Sequence, residues 1–281
     1  MEIVKTIEKA RKIIAKAKSA GREIGFVPTM GALHEGHFSL IKAAKKQTDF
    51  VVVSIFVNPT QFGPGEDLAK YPRPFKKDVN ACKKLGVNII FAPTVKQMYP
   101  EENITWVNVE KLSEPLCGKS RPGHFRGVAT VCSKLFNIVQ PDIAFFGQKD
   151  AQQAIIVQRT VSDLNMPLKI VVCPTIREQD GLAMSSRNAH LKPKERKDAA
   201  LLYAALEEAE FFIKAGKRES KMLISEMKKV LKISRQIKID YVKIVDAKML
   251  EEVGRVQGEV LIAVAVKIGS TRLIDNKVVD V

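Results

Sequence analysis

Two histidines three positions apart follow a short apolar run near the start of the chain. His34 and His37 lie in residues 28–37 (PTMGALHEGH), directly after a predicted buried strand at 24–28. At the start of a helix, side chains three positions apart lie on the same face of the helix. The helix N-terminus also offers free N–H groups and a partial positive charge to a phosphate. Gly36 lets a ligand approach the backbone closely. The pattern predicts a phosphate site with two imidazole donors. The alternative is that the histidines are surface or N-cap residues. A zinc site is disfavoured, because the sequence shows no cluster of further ligands.

A lysine occupies the equivalent place after a later strand. Lys149 lies in residues 146–153 (FGQKDAQQ), where a predicted strand ends and a helix begins. It would place a point charge on phosphate, and Gly147 would allow close approach. A solvated lysine is the alternative, but the positive end of a helix disfavours a cation there. The position therefore favours a phosphate-binding role for Lys149 over a solvated side chain.

Three further segments carry polar side chains suited to binding. Residues 184–188 (MSSRN) place two hydroxyls beside Arg187, which suits a polyphosphate, although a helix cap or turn is the simpler interpretation. Residues 120–127 add cations on a loop, as a lid or a linker. Gln61, after a buried strand, and Gln153, on the helix after Lys149, would recognise a hydroxyl or carboxylate, or are ordinary exposed side chains.

Alternating strands and helices position these segments. Strands are predicted at 24–28, 50–57, 87–92, 143–146 and 169–174, and helices at 3–20, 36–47, 76–85, 128–139 and 151–164, with a possible strand at 104–109. This alternation predicts an α/β fold with a doubly wound parallel sheet, in which ligands bind beyond the carboxyl ends of the strands.

The pattern changes after about residue 176. Two helices rich in Lys and Glu, at 193–215 and 219–233, precede strand-like runs at 239–245, 260–268 and 271–274. This predicts a smaller α+β domain, and we divide the chain into domains 1–176 and 177–281, with the boundary near 176–184.

Composition narrows the functional classes. The 281 residues carry a formal net charge of +15, but the basic residues are dispersed without the interleaved aromatic side chains of single-strand binders. We therefore interpret the positive charge as a solvated surface that also steers anionic substrates, and not as a nucleic-acid-binding surface. No stretch approaches a bilayer span, and the charged N-terminal segment is unlike a signal peptide, so a cytoplasmic protein is expected. Four dispersed cysteines are expected to be buried thiols.

Six segments follow one another along the chain: PTMGALHEGH, FVNPTQF, YPR, RPGHFRGV, FGQKDAQQ and MSSRN. Together they resemble the pantoate–β-alanine ligase family of the His-x-Gly-His nucleotidylyltransferase superfamily. The resemblance implies a Rossmann-like N-terminal domain, a smaller C-terminal lid domain and a cytoplasmic homodimer. It also implies ATP-dependent ligation of (R)-pantoate and β-alanine, with Mg²⁺, through a pantoyl-adenylate that releases AMP and pyrophosphate.

The resemblance also implies roles for residues at matching positions. His37 would act as proton donor, and the further catalytic positions are His34, Lys149, Ser185, Ser186 and Arg187. The ATP positions are Met30, Gly31, Ala32, Leu33, His34, Glu35, Gly36, His37, Gly147, Gln148, Lys149, Asp150, Ile176, Met184, Ser185, Ser186 and Arg187. Gln61 and Gln153 would hold pantoate, with Gln61 also near β-alanine.

Two departures leave the Mg²⁺ ligands open. Many relatives carry an acidic residue where Cys117 stands, and Lys76 and Lys77 occupy a stretch that is Asp-rich in some relatives. Two rivals stay open as well. An enzyme of the same superfamily that transfers AMP to a phosphate acceptor would need a cationic acceptor pocket rather than glutamines. A nucleic-acid-binding protein would lose affinity steeply with salt and would not turn over ATP.

Overall fold

The protein forms two compact units in a computed structural model that describes all 281 residues. The first unit comprises Met1–Glu114, Gly118–Gly147 and Gln153–Pro174. The second comprises Pro115–Cys117, Gln148–Gln152 and Thr175–Val281. The second unit thus includes two short segments from the earlier part of the chain. The domain division at 176/177 stays a prediction.

A six-stranded parallel sheet forms the centre of the first unit. Its strands are β1 (Glu2–Val4), β2 (Ile24–Thr29), β3 (Phe50–Ile55), β4 (Ile89–Phe91), β5 (Ile143–Gly147) and β6 (Lys169–Cys173), in the order β1-β4-β3-β2-β5-β6. The chain proceeds outward from β2 on one side and from β5 on the other. The strand order therefore reverses between β2 and β5, which makes their carboxyl ends the expected ligand position in this class of fold.

Helices flank this sheet in the order of the chain. They are α1 (Ile7–Ser19), α2 (Glu35–Gln47), α3 (Phe75–Lys84), α4 (Val95–Met98), α5 (Cys117–Ser120), α6 (His124–Val139) and α7 (Ala151–Asp163). The strand β3 shows why the layers form. Its side chains from Phe50 to Ser54 are all buried, as a strand covered on both faces requires. The predicted doubly wound parallel sheet is confirmed.

The second unit contains an antiparallel sheet covered by helices. Its strands β7 (Ile237–Asp246), β8 (Val260–Ile268) and β9 (Thr271–Val279) lie in sequence order, and its helices are α8 (Pro193–Ala199), α9 (Leu201–Lys214) and α10 (Ser220–Leu231). Apolar side chains of α9, α10 and β8 form one buried cluster. The predicted α+β character is confirmed.

Several element predictions are wrong. Residues 104–109 form no strand: Ile104 is 86% exposed, and Val107 N donates to the Thr130 hydroxyl at 3.0 Å rather than to a ladder. The helix predicted from residue 128 begins at His124, inside the predicted loop. The single helix predicted at 193–215 is two helices that meet at Ala200. The strand β1 has only three residues, too few for a periodic signal.

All four cysteines are buried thiols outside any disulfide, as expected. Burial raises the pKa of the Cys132 thiol to about 12, which makes this thiol a poor nucleophile. No helix combines the length and apolar character that crossing a bilayer demands.

Candidate active site

The turn between β2 and α2 has an unusual backbone. Gly31 and Ala32 both adopt positive φ, at 85° and 52°, a conformation that costs roughly 1–2 kcal/mol for a residue with a side chain. Thr29 Oγ1 accepts a hydrogen bond from Gly31 N at 3.1 Å. The carboxylate of Asp78, on α3, accepts from Ala32 N at 2.9 Å and from Leu33 N at 2.9 Å. These bonds fix the backbone at three of the predicted ATP positions, 31–33.

Asp78 is a residue that sequence analysis missed. Its side chain is 1% exposed, and both oxygens accept from backbone N–H groups. Burial raises the pKa of Asp78, and the hydrogen bonds from Leu33 and Ala32 offset part of that rise. On the lysine-rich helix α3 this acid looks in sequence like an ordinary surface residue, and only its burial in the structure shows that the carboxylate requires partners.

His34 and His37 begin helix α2 and pack against each other. His34 is the N-cap: its Nδ1 accepts from Gly36 N at 3.2 Å, while Nδ1 of His37 accepts from His34 N at 3.3 Å. The ring centroids are 4.2 Å apart. Because Nδ1 accepts in each ring, the ring proton of each neutral imidazole is on Nε2. The N-cap alternative is therefore correct for His34, and it fixes the tautomer that donates through Nε2.

Gln61 is buried at the end of a 3₁₀ turn, Pro59–Gln61. Asn58 Nδ2 donates to Gln61 Oε1 at 3.2 Å and to the carbonyl of Gly127 at 3.2 Å. Gln61 Nε2 donates to the Met30 sulfur at 3.2 Å. The structure thus brings Gln61 and Met30 together within the first unit, and the alternative of an exposed glutamine is wrong for Gln61.

The predicted lid segment supports the same turn. His124, 8% exposed, donates from Nδ1 to the Gln61 carbonyl at 2.8 Å, because its Nε2 accepts from Arg121 Nη1 at 2.9 Å. Arg121 also forms two 2.7 Å hydrogen bonds to Glu66. Burial alone would raise the pKa of Glu66, but the hydrogen bonds and charge of Arg121 outweigh burial and lower it. These residues connect loop 62–74 to α6.

Close packing between α6 and this turn depends on Gly127. A Cβ at position 127 would lie 2.3 Å from the Thr60 oxygen and 2.8 Å from the Gln61 Cα. Both contacts are to backbone, which cannot rotate away. Gly127 is thus required for the observed position of Gln61 against α6.

Lys149 and its neighbours belong to the second unit. Gln148–Asp150 form a 3₁₀ turn after β5, and Lys149 Nζ lies 3.3 Å from Asp150 Oδ1. Gln153, in the first turn of α7, belongs to the first unit and is partly exposed. Gln152 beside it is buried, accepting from Cys117 N at 3.0 Å and donating to the Pro115 carbonyl at 2.8 Å.

Of the remaining predicted ATP positions, Gly147 is the last residue of β5 and lies in the first unit, while Ile176 and residues 184–187 lie in the second unit. Met184 N donates to the Ile176 carbonyl at 2.9 Å, which brings these two residues together. Ser185 is the N-cap of a 3₁₀ helix, Ser186–His190, and its hydroxyl accepts from Arg187 N at 3.2 Å. Ser185 thus has the capping role given as the alternative, which leaves its binding role a prediction.

Cys117, where the family resemblance predicts an acidic side chain, lies against a cationic group. Its sulfur is 3.2 Å from the Tyr241 hydroxyl and 3.6 Å from Arg272 Nη1. Arg272 also donates from Nε and Nη2 to Asp240, at 2.9 and 2.7 Å. Burial, with a further contribution from Cys117, raises the pKa of Tyr241. A sulfur therefore occupies a place where an acidic side chain would meet a guanidinium.

No group of three or more His, Cys, Asp or Glu side chains is arranged to hold a metal ion. Both oxygens of Asp78 already accept backbone N–H groups. Mg²⁺ commonly binds through substrate phosphates, water and only one or two carboxylates. The residues present therefore fit an Mg²⁺ that is carried by a polyphosphate.

Comparison with known proteins gives matches along the whole chain. The family model described as pantoate-beta-alanine ligase matches residues 2–278. A pantothenate synthetase of Acetivibrio thermocellus is 52% identical over 281 residues, covering 100% of both chains. Another, from Moorella thermoacetica, is 53% identical over 281 residues, covering 100% of this chain and 99% of the relative.

Solved structures of the same family share the fold. A crystal structure of pantothenate synthetase from Thermus thermophilus superposes with a TM-score of 0.94 at 42% identity, covering 99% of each chain. A pantoate-beta-alanine ligase from Francisella tularensis, complexed with beta-gamma ATP and beta-alanine, gives a TM-score of 0.82 at 36% identity, covering 99% of this chain and 97% of the other.

Proposed function

The chain belongs to the pantoate–β-alanine ligase family, and on that premise we propose that it joins (R)-pantoate to β-alanine through a pantoyl-adenylate. AMP and pyrophosphate are the co-products. The observation that best supports this proposal is the pair His34 and His37 at the start of α2, with Nδ1 of each ring accepting a backbone N–H and the proton on Nε2. Two such donors suit a phosphate that gains negative charge during substitution.

The first step is attack of the pantoate carboxylate oxygen on the α-phosphorus of ATP. The new O–P bond forms as the bond to pyrophosphate breaks. A carboxylate is ionised at neutral pH, so this step requires no general base. It requires in-line positioning and charge stabilisation, for which a site of imidazole, ammonium, hydroxyl and guanidinium groups is suited. His37 donates a proton or hydrogen bond, and His34, Lys149, Ser185, Ser186 and Arg187 stabilise the phosphates.

The second step is attack of the β-alanine amine on the adenylated carbonyl carbon. The C–N bond forms, AMP leaves with the electron pair of the broken C–O bond, and the amine loses a proton to solvent or a backbone acceptor. Gln61 and Gln153 bind pantoate through its hydroxyl and carboxyl oxygens, with Gln61 also near β-alanine. The support for Gln61 is its fixed amide: Asn58 donates to its oxygen and the Met30 sulfur accepts from its nitrogen.

ATP binds to two groups of residues in this proposal. Met30, the fixed backbone at 31–33 and the α2 terminus through His37 serve one part of the nucleotide. Gly147 to Asp150, Ile176 and 184–187 serve the rest. Mg²⁺ would be carried by the phosphates of ATP and would supply neutralisation of their charge. A cytoplasmic homodimer is also part of the proposal and is supported by the family resemblance alone.

Measurement of AMP release tests this proposal against its rivals. AMP should accumulate at the full rate only when ATP, Mg²⁺, pantoate and β-alanine are all present, with one pantothenate formed per AMP. Omission of either acid or amine should abolish sustained release. A transferase of the same superfamily would move the AMP group to a phosphate acceptor without pantoate, and a nucleic-acid-binding protein would release none. Either result would overturn the proposal.

A further inference from the structure

One asparagine of the C-terminal sheet holds the backbone of the turn that carries Lys149. Asn276, on β9, is 6% exposed. Its Nδ2 donates to the carbonyl of Gln148 at 3.0 Å and to the carbonyl of Lys149 at 2.8 Å. Its Oδ1 accepts from Gln148 Nε2 at 3.0 Å. One side-chain amide thereby makes three hydrogen bonds to two consecutive residues.

The backbone of the asparagine is itself bonded to the ion pair between the buried Asp275 and Arg177. Asn276 N donates to Asp275 Oδ1 at 2.8 Å, and Asp275, 2% exposed, accepts from Arg177 at 2.6 and 3.1 Å. Arg177 donates further to the Gly181 carbonyl at 3.0 Å and lies over the Tyr203 ring, 4.2 Å from its centroid. The backbone of β9 from which the Asn276 side chain extends is therefore held in place by this ion pair.

This arrangement explains why the turn groups with the second unit although it follows a strand of the first. Gln148–Asp150 is only a single 3₁₀ turn, and such turns have weak internal hydrogen bonding. The lysine side chain adds four flexible bonds beyond that backbone. Bonds to two consecutive carbonyls hold the origin of that flexible side chain in place.

We propose that Asn276 is a positioning residue for Lys149, which it serves by fixing the two carbonyls of the Gln148–Lys149 backbone. The inference rests on the proposed role of Lys149 at the phosphates. Misplacement of a charged group by about 1 Å costs about 100-fold in rate. Loss of the clamp should therefore lower the rate of pantoyl-adenylate formation about 10- to 100-fold, with a smaller change in the KM for pantoate.

A double-mutant cycle tests this inference in the full-length protein. Adenylate formation is measured in single turnovers for wild type, Asn276→Ala, Lys149→Ala and the double variant. If Asn276 acts through Lys149, its loss should change the rate by less than about twofold once Lys149 is absent, since residues acting as one unit are not additive. Asn276→Asp serves as the conservative variant, because it keeps the size and an acceptor but lacks both donors. It should resemble Asn276→Ala in rate.

Lys277→Ala is the matched control, because Lys277 is next to Asn276 on β9 but its side chain pairs with Glu207 and Glu210 and not with the turn. It should leave the adenylation rate unchanged even if the melting temperature falls. Rates for Asn276→Ala and Asn276→Asp within about twofold of wild type, or losses that multiply with that of Lys149→Ala, would overturn the inference. A near-normal rate for Lys149→Ala alone would instead remove the proposed role of Lys149, and with it this inference.

Discussion

Replacement of Asp78 by Asn should weaken ATP binding while leaving the fold intact. Asp78 accepts hydrogen bonds from Ala32 N and Leu33 N at 2.9 Å each. Asn keeps one acceptor oxygen but directs an NH₂ group at the second N–H. An unsatisfied buried donor costs about 1–3 kcal/mol, so we take about 2 kcal/mol as the loss at this turn. If that loss falls on ATP binding, the KM for ATP should rise about 30-fold.

The free energy of unfolding of the Asp78→Asn variant should change less than its free energy of ATP binding, because the variant no longer buries a charge at position 78. The pKa of Asp78 is raised in the folded state. Between the unfolded and folded pKa values the folded state binds more protons, so the contribution of Asp78 to stability falls as pH rises through that interval. Asn does not titrate. The stability deficit of the variant should therefore be smaller at neutral pH than at acidic pH.

The assay combines steady-state kinetics, with pantoate and β-alanine saturating, and urea denaturation at several pH values. Asn80→Ala, on the exposed part of the same helix α3, is the control and should leave the KM for ATP unchanged. A KM for ATP within about twofold of wild type in a folded Asp78→Asn protein would refute the reasoning, because the fixed backbone at 31–33 would then be irrelevant to ATP.

Other changes test the pantoate side and the pH response. Gln61→Ala and Gln153→Ala should each raise the KM for pantoate far more than that for ATP, because the polar groups of pantoate lose their partners; equal losses would remove the assignment. Gly127→Ala should destabilise the protein by about 1–3 kcal/mol and raise the KM for pantoate, because its Cβ would lie 2.3 Å from a backbone oxygen of the turn carrying Gln61. Gly254→Ala, with nothing within 4 Å, is its control, and equal effects of both variants would contradict this explanation. Glu66 has a lowered pKa, so its stabilising contribution is present above its unfolded pKa of about 4.3 and is lost as pH falls through the folded pKa. The difference in free energy of unfolding between wild type and Glu66→Gln should therefore become smaller on acidification. A difference that does not depend on pH would contradict this.

The strands β2 to β6 could be predicted because each signal was local. The buried run that became β3 and the motifs that follow β2 and β5 depend on residues close together in sequence. Parallel strands in such a fold place their carboxyl ends at one edge of the sheet, so the position of His34 and Lys149 after strands was itself informative. The tautomers of the histidines were not predictable, since they depend on which ring nitrogen meets a backbone N–H.

The missed residues act over long separations that no periodicity reveals. Asp78 binds backbone groups 45 and 46 positions away, and Asn276 binds a turn more than 120 positions away. A buried Asp or Asn looks in sequence like any polar residue. His124 was placed in a loop because Pro122 and Gly123 precede it, yet Gly123 adopts a left-handed backbone and helix α6 begins directly after it.

The false strand at 104–109 shows the opposite error. Its apolar residues Ile104, Trp106 and Val107 suggested a strand, but a strand also needs a neighbour that completes its hydrogen bonds. Here Val107 bonds to the Thr130 side chain, and Arg126 lies 4.5 Å from the centroid of the Trp106 ring. Helix α6 thus supplies contacts that a second strand would otherwise provide.

Exchange of labelled pyrophosphate into ATP tests the acyl-adenylate most directly. Enzyme, Mg²⁺, ATP and pantoate are mixed with labelled pyrophosphate in the absence of β-alanine. A reversible first step should transfer label into ATP, exchange should vanish without pantoate, and His34→Ala or His37→Ala should depress it strongly. Addition of β-alanine should convert the system to AMP. Absence of pantoate-dependent exchange alongside normal pantothenate synthesis would contradict a free, reversible adenylate step, and rapid exchange without any acid would indicate the rival transferase.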